Sequence, residues 1–486
     1  MSRSLYVGMS GLLLGMFLAM LDGLIVGTAL PTITGELGGL NQLSWVVTAY
    51  MLAAAATTPI WGKLGDLYGR KGTFMTSIVI FLAGSMLAGL SQDMGQLIAF
   101  RAVQGLGAGG LMVGALSIIG VLVPPRDSGR VQSMIGAMMP VAFIGGPLLG
   151  GLLTEELSWR WTFYVNVPVG AVALLIVGFG IRVPGERVRA RIDYLGAALL
   201  TAGIVALTLL ASWGGIAYAW ASPQILALGA VAVVCLVAFV RVERRAEEPI
   251  IPPRLFADRN FTLAQVLSFL VGAVMMGVTA YLPQYMQFVL GATPTGSGML
   301  LLPLMFGMLA AQLVAGRLIS RDGRYRRYPI LGGGVLVAGV LALTVLDVGT
   351  GMVLASGLSA VAGVGIGLVM QSSLLLTLAS AEHRDMGAAS GTVTLLRTIG
   401  GSVGISLLGA VYGSRVEAGL GSGAGDGLTP ESMTTLSGPA REAVREAVSG
   451  GLQGVLAGAA LLGVLAFAAA WFVREQAREP AVTGRT

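Results

Sequence analysis

The chain has 486 residues, of which 55% are hydrophobic and only 11% charged. Too few charges remain to coat a soluble protein of this length, so an ordinary soluble globular protein is excluded. The formal charge of +6 lies in short clusters between apolar runs, which excludes a nucleic-acid footprint, and a lone cysteine (Cys235) with a lone histidine (His383) excludes a disulfide framework and a histidine-rich metal centre.

A membrane span needs ~20 mainly apolar residues, and such runs recur along the whole chain. In order they cover about 8–30, 43–62, 73–91, 96–122, 131–154, 162–181, 194–213, 223–241, 261–285, 297–317, 328–346, 351–378, 388–412 and 452–473. The first run extends past Pro31 and is read as a span, not as a cleaved signal peptide. With both termini cytoplasmic, 24 of the 30 Lys and Arg residues fall on the inner side. Only Arg160, Arg415, Arg441 and Arg445 fall outside, while Arg101 and Arg397 lie within spans. That asymmetry is the one membrane insertion imposes, and adding or removing a single span would scramble it.

Two connectors stand out. The inner segment 241–260 is basic and carries Pro249, Pro252 and Pro253, which suits a linker between bundles. The outer segment 413–451 is long and rich in Gly and Ser, and is expected to be an exposed loop ending in a short amphipathic surface helix around Arg441–Val448.

The sequence also repeats itself. Gly62, Gly69 and Arg70 after the second span match Gly316, Gly323 and Arg324 after the tenth. Arg101-Ala-Val-Gln-Gly-Leu-Gly-Ala-Gly109 in the fourth span matches Ser359-Ala-Val-Ala-Gly-Val-Gly-Ile-Gly367 in the twelfth. Both pairs are an even number of spans apart, so the two copies have one orientation. The expected architecture is an all-α integral membrane protein of 14 transmembrane helices. It comprises an N-terminal six-helix bundle (1–185), two inserted helices (186–245) and a C-terminal six-helix bundle (246–486), the bundles being parallel repeats.

These motifs resemble those of the major facilitator superfamily, in its fourteen-span drug:proton antiporter branch. The loop 62–71 is similar to the superfamily's signature loop, Arg101–Gly109 to its span-four motif, and Gly145-Gly-Pro-Leu-Leu-Gly-Gly151 to the span-five motif of antiporters. Leu21–Pro31, Trp45–Tyr50, Ser158–Pro168, Tyr281–Tyr285 and Arg397–Gly401 extend the resemblance over nearly the whole chain. One departure is that Leu24 and Gly27 stand where the family usually has Thr and Asn, removing two polar groups from the expected cavity wall.

Ionisable groups within spans are the sharpest signals, because burying a charge there costs about 2.5–3.5 kcal/mol or more. Asp22 is mid-span, and is expected to be the proton-coupling site with Arg101 as its permanently charged partner. The structural alternative is an ion pair that only pins the bundle. Gly62, Asp66, Gly69, Arg70 and Lys71 are expected to form a gating latch, Asp66 facing the N-terminus of the thirteenth span near Met386. Gly145, Gly146, Pro147, Gly150 and Gly151 give a small-residue face and a proline step suited to a helix that rocks on its neighbour. A substrate cavity between the halves draws its candidates from Trp45, Tyr50, Gln104, Met138, Met139, Tyr281, Gln284, Tyr285, Gln371 and Arg397.

No phosphate-binding loop follows Lys63 or Lys71, so a primary pump is excluded, and one His with one Cys makes an enzyme a poor reading. No cofactor or metal is expected. The resemblance implies a monomeric multi-pass protein of a bacterial plasma membrane, exchanging lipophilic drug-like compounds for protons, as in antibiotic resistance. The alternative is a dedicated exporter of one metabolite or antibiotic on the same machinery.

Overall fold

The computed structural model describes residues 3–37, 43–123, 125–181, 193–214, 218, 221–292, 294–421, 433 and 436–475. The side chains of Met139, Pro147, Ser320 and His383 lie outside the described set. The helices are α1 (Arg3–Leu37), α2 (Leu43–Tyr68), α3 (Arg70–Gly89), α4 (Met94–Leu122), α5 (Pro125–Glu156), α6 (Trp161–Tyr164), α7 (Asn166–Gly180), α8 (Tyr194–Trp213), α9 (Pro223–Glu243), α10 (Arg259–Phe288), α11 (Pro294–Leu300), α12 (Leu302–Asp322), α13 (Arg327–Leu343), α14 (Met352–Ala379), α15 (Met386–Leu420) and α16 (Gly438–Trp471).

Apolar runs form helices because hydrocarbon leaves backbone polar groups no partner but one another. Among the described residues, eleven helical segments are long and apolar enough to cross a membrane by length and composition, and α13 is a shorter apolar helix. The run at 162–181 is divided between α6 and α7, and that at 297–317 between α11 and α12.

The chain divides into two compact units. The first takes residues 1–124, 134–257 and 377–410. Here α4 packs along α2 and α3, and glycines set how closely. A Cβ on Gly105 would strike the Tyr50 carbonyl of α2, one on Gly109 the Ala54 carbonyl, and one on Gly107 the backbone of Phe81 in α3. Helices α8 and α9 pair, and α8 also packs on α2. The proline-bearing connector is not a free strap: Ile250 and Ile251 are buried against Ala55, Leu200, Phe239 and Leu395.

The second unit takes 125–133, 258–376 and 411–486. Its α14 repeats the glycine contacts: Gly363 and Gly367 meet the Leu304 and Met308 carbonyls of α12, and Gly365 meets Leu336 of α13.

Helices enter the outer segment 413–451 from both sides, and its residues 422–432, 434 and 435 lie outside the described residues. Helix α15 continues to Leu420, and α16 starts at Gly438 behind Ser437 and runs unbroken through Arg441–Val448 into the last span. The charged stretch is the first turns of a long helix, because nothing between Pro439 and the span breaks helical geometry. Arg445 there donates to the carbonyls of Val289 and Val348 at 3.1 Å each.

Candidate functional site

A single carboxylate organises the first unit. Asp22 of α1 is fully buried, and a buried carboxylate needs a counter-charge and donors. Arg101 of α4, itself buried, brings Nη1 to 2.5 Å from Asp22 Oδ2. Gln104, three residues on and so on the same face of α4, donates Nε2 to Asp22 Oδ1 at 2.8 Å and accepts from Arg101 Nη1 at 2.7 Å. Asn166, which opens α7, donates Nδ2 to the same Oδ1 at 2.8 Å and to Ser85 Oγ of α3 at 3.0 Å. Ser85 in turn donates to the Phe163 carbonyl at 2.9 Å.

The arginine is held as firmly as the acid. Its Nε donates to the Val46 carbonyl at 3.2 Å, and its guanidinium carbon lies 4.1 Å from the ring centroid of Tyr50. Tyr50 donates its hydroxyl to the Ala19 carbonyl at 3.3 Å. Helices α1, α2, α3, α4 and α7 therefore converge on one ion pair. Asp22, Arg101, Gln104 and Tyr50 are all sequence candidates, and they meet here. Asn166 and Ser85 are not among them. Asn166 stands in Tyr-Val-Asn-Val-Pro168, where a polar residue two before proline reads as helix-start punctuation, and its mid-unit burial is the only signal of a further role.

The signature loop makes a second constellation. Gly387 N and Ala388 N, two unsatisfied donors in the first turn of α15, donate to Asp66 Oδ1 and Oδ2 at 3.1 and 3.0 Å. Arg70 donates to Asp66 Oδ1 from Nε at 3.1 Å and Nη2 at 2.8 Å. Burial, the largest influence, raises the Asp66 carboxyl above its ordinary value, against the pull of Arg70 and the two amides. Gly62 and Gly387 face each other so closely that a Cβ on either would strike the other's carbonyl. Gly69 takes a φ of 100°, the left-handed region that only glycine adopts freely, and so turns the chain into α3. Lys71 does not join this contact. Its Nζ donates to the carbonyls of Gly178 and Ile181 at 2.7 and 2.8 Å, a cation on the C-terminal end of α7.

In the span-five motif α5 runs as one helix through Gly145–Gly151. Gly146 packs against α1, where a Cβ would lie 2.7 Å from Leu24 Cβ, while Gly145 and Gly151 have nothing within 4 Å. Gly150 is buried.

The remaining cavity candidates are dispersed. Trp45 packs edge-on to Trp213 of α8 at 5.6 Å, and Met138 and Arg397 are half-buried. In the second unit Tyr281 stacks at 4.9 Å on Tyr412, Gln284 is half-buried, and Gln371 is buried with Nε2 unpartnered. Tyr285 is fully buried and donates to the Asp347 carbonyl at 2.7 Å.

Known proteins resemble the chain throughout. The Major Facilitator Superfamily model matches residues 12–194 and 194–405. An uncharacterised MFS-type transporter of Mycobacterium tuberculosis is 40% identical over 421 residues, which is 87% of this chain and 61% of that one. The chain thus spans less than two thirds of that relative's length. The multidrug transporter protein MdtP of Bacillus subtilis is 37% identical over 84% of this chain and 75% of its own. Among solved structures, the human organic anion transporter MFSD10 superposes with a TM-score of 0.62 at 15% identity, covering 97% of this chain and all of that one.

Proposed function

The chain belongs to the major facilitator superfamily, a family of membrane transporters, and on that premise we propose that it is an efflux pump that exchanges lipophilic drug-like compounds for protons by alternating access. The observation that carries this reading is Asp22, a buried carboxylate whose oxygens take donors from Arg101, Gln104 and Asn166. Arginine keeps its charge, so the acid is the group that switches. A proton on Asp22 replaces the ionic contact with Arg101 and loosens five helices at once, which is how one proton moves a bundle. The multidrug relatives in Bacillus subtilis support export, and bacterial relatives support a plasma-membrane setting.

The proposed architecture is fourteen spans, as two parallel six-helix repeats with α8 and α9 inserted, monomeric, and both termini in the cytoplasm. Asp66 on the α15 amides acts as the latch of the cytoplasmic side. Substrate contacts are assigned to Trp45, Met138 and Arg397 in the first unit and to Tyr281, Gln284 and Gln371 in the second.

The test uses purified protein in liposomes under an imposed pH gradient, with ethidium as substrate and Asp22→Asn as control. Gradient-driven movement in the wild type that is lost in the variant supports the reading. Movement that survives Asp22→Asn removes Asp22 as the coupling site. No movement by folded protein points to a dedicated exporter of a single metabolite.

A further inference from the structure

Away from Asp22, a second pair of acids meets where α8 begins and α9 ends. Asp193 caps α8, accepting from Gly196 N through Oδ1 at 2.8 Å. Glu243, the last residue of α9, is only 3% exposed and accepts from Ile250 N through Oε1 at 3.1 Å. Each acid therefore has one oxygen committed to a backbone amide. The other oxygens, Asp193 Oδ2 and Glu243 Oε2, are buried with no hydrogen-bond partner.

Gly196 shows how close the two acids are. A Cβ built there would collide with Asp193 Oδ2 and lie 3.1 Å from Glu243 Oε1, so both carboxylates border the volume of one methyl group. Among the described residues, the charged groups whose fields reach Glu243 are Asp193 itself and Lys63 of α2. Lys63 is already committed, its Nζ 2.7 Å from Glu248 Oε2. Arg241, Arg244 and Arg245 on the same end of α9 are exposed.

Two ionised carboxylates with two orphaned oxygens and, among the described residues, no free cation beside them make a costly arrangement. A proton resolves it: one acid becomes a donor, the other stays an acceptor, and a single net charge remains for Lys63 to balance from a distance. We propose that Asp193 and Glu243 share one proton, forming a titratable site separate from Asp22, with Lys63 as the cation that turns toward the pair when the proton leaves. Lys63 follows Gly62 directly, so the proton's departure tugs the signature loop close to where Asp66 holds α15. The site reports the pH on the side of the membrane where that loop lies. It does not depend on the substrate or on Asp22.

Labelling by dicyclohexylcarbodiimide tests this, since the reagent modifies buried carboxyls only when they are protonated. Purified full-length protein in detergent is labelled across a pH series and the modified residue located by peptide mass spectrometry. The expected result is labelling of Glu243 or Asp193 with a midpoint at least about one unit above the ordinary carboxylate value of about 4. Glu243→Gln keeps the acceptor for Ile250 N, so the fold survives, and it moves the Asp193 midpoint down by at least about one unit because the like charge is gone. Glu248→Gln frees Lys63, and the midpoint of the pair then falls as well. Labelling of neither acid, or a midpoint at the ordinary carboxylate value, overturns the shared proton. A midpoint indifferent to Glu248→Gln overturns the part given to Lys63.

Discussion

The α2–α3–α4 corner of the first unit and the α12–α13–α14 corner of the second are built with the same glycine contacts, yet among the described residues a fully buried ion pair is seen in the first alone. Gly105, Gly107 and Gly109 have their counterparts in Gly363, Gly365 and Gly367, each against the corresponding backbone. The position that opens the motif differs. Arg101 reaches Asp22, whereas Ser359 turns its hydroxyl back to the Ser356 carbonyl of its own helix at 2.7 Å. Close helix packing and charge pairing are thus separable layers: glycines bring the helices together, and one corner adds a charge for them to enclose.

The largest effect expected from breaking this comparison is at Arg101. Arg101→Ala leaves Asp22 as an uncompensated buried charge and costs about 3–5 kcal/mol, with gradient-driven transport lost. Ser359→Ala removes one local bond and costs below about 1 kcal/mol. Thermal unfolding in detergent and the liposome assay measure both. Next come the glycines. Gly107→Ala and Gly365→Ala each force a methyl into backbone and cost about 1–3 kcal/mol, to similar extents if the corners are equivalent. A large gap between the two unfolding shifts would break the equivalence.

Smaller still is the effect at the Asp66 contact with α15. Asp66→Ala removes the acceptor of two first-turn amides, worth about 0.3–2 kcal/mol, and speeds hydrogen exchange at Gly387 and Ala388 several-fold. The smallest effect is at the far end of α1, where Trp159 and Arg160 donate to Glu36 at 2.7 and 2.6 Å. The hydrogen bond from Arg160 is the main reason that the Glu36 carboxyl sits below its ordinary value. A depressed pKa means its contribution is full above the ordinary value of about 4.3 and fades as pH falls through the lowered one. The unfolding difference between wild type and Glu36→Gln should therefore be constant near neutrality and close only in acid.

Much of this was legible in the sequence because membranes punish irregularity. Apolar runs marked the helices, and a charge inside one marked Asp22 and Arg101 as partners. The sequence points Asp66 at the helix start near Met386, one and two residues before the donors Gly387 and Ala388, since a helix N-terminus is the natural seat for an acid. Other features were hidden for physical reasons. Asn166 and Ser85 are uncharged, and polar residues at helix starts are ordinary. Lys71 looked like a latch residue by its neighbours, but its reach carries it to the carbonyls ending α7. The stretch 441–448 read as surface helix because its charges mask its continuity with α16. The Asp193–Glu243 pair joins positions fifty residues apart, which no local pattern announces.

Proton release on substrate binding tests the central claim most directly. Ethidium is added to detergent-solubilised protein in weakly buffered solution over a series of pH values, and the released protons are counted. Coupling through Asp22 predicts release by the wild type and none by Asp22→Asn, with Glu243→Gln releasing as the wild type does. Equal release from wild type and Asp22→Asn would contradict it.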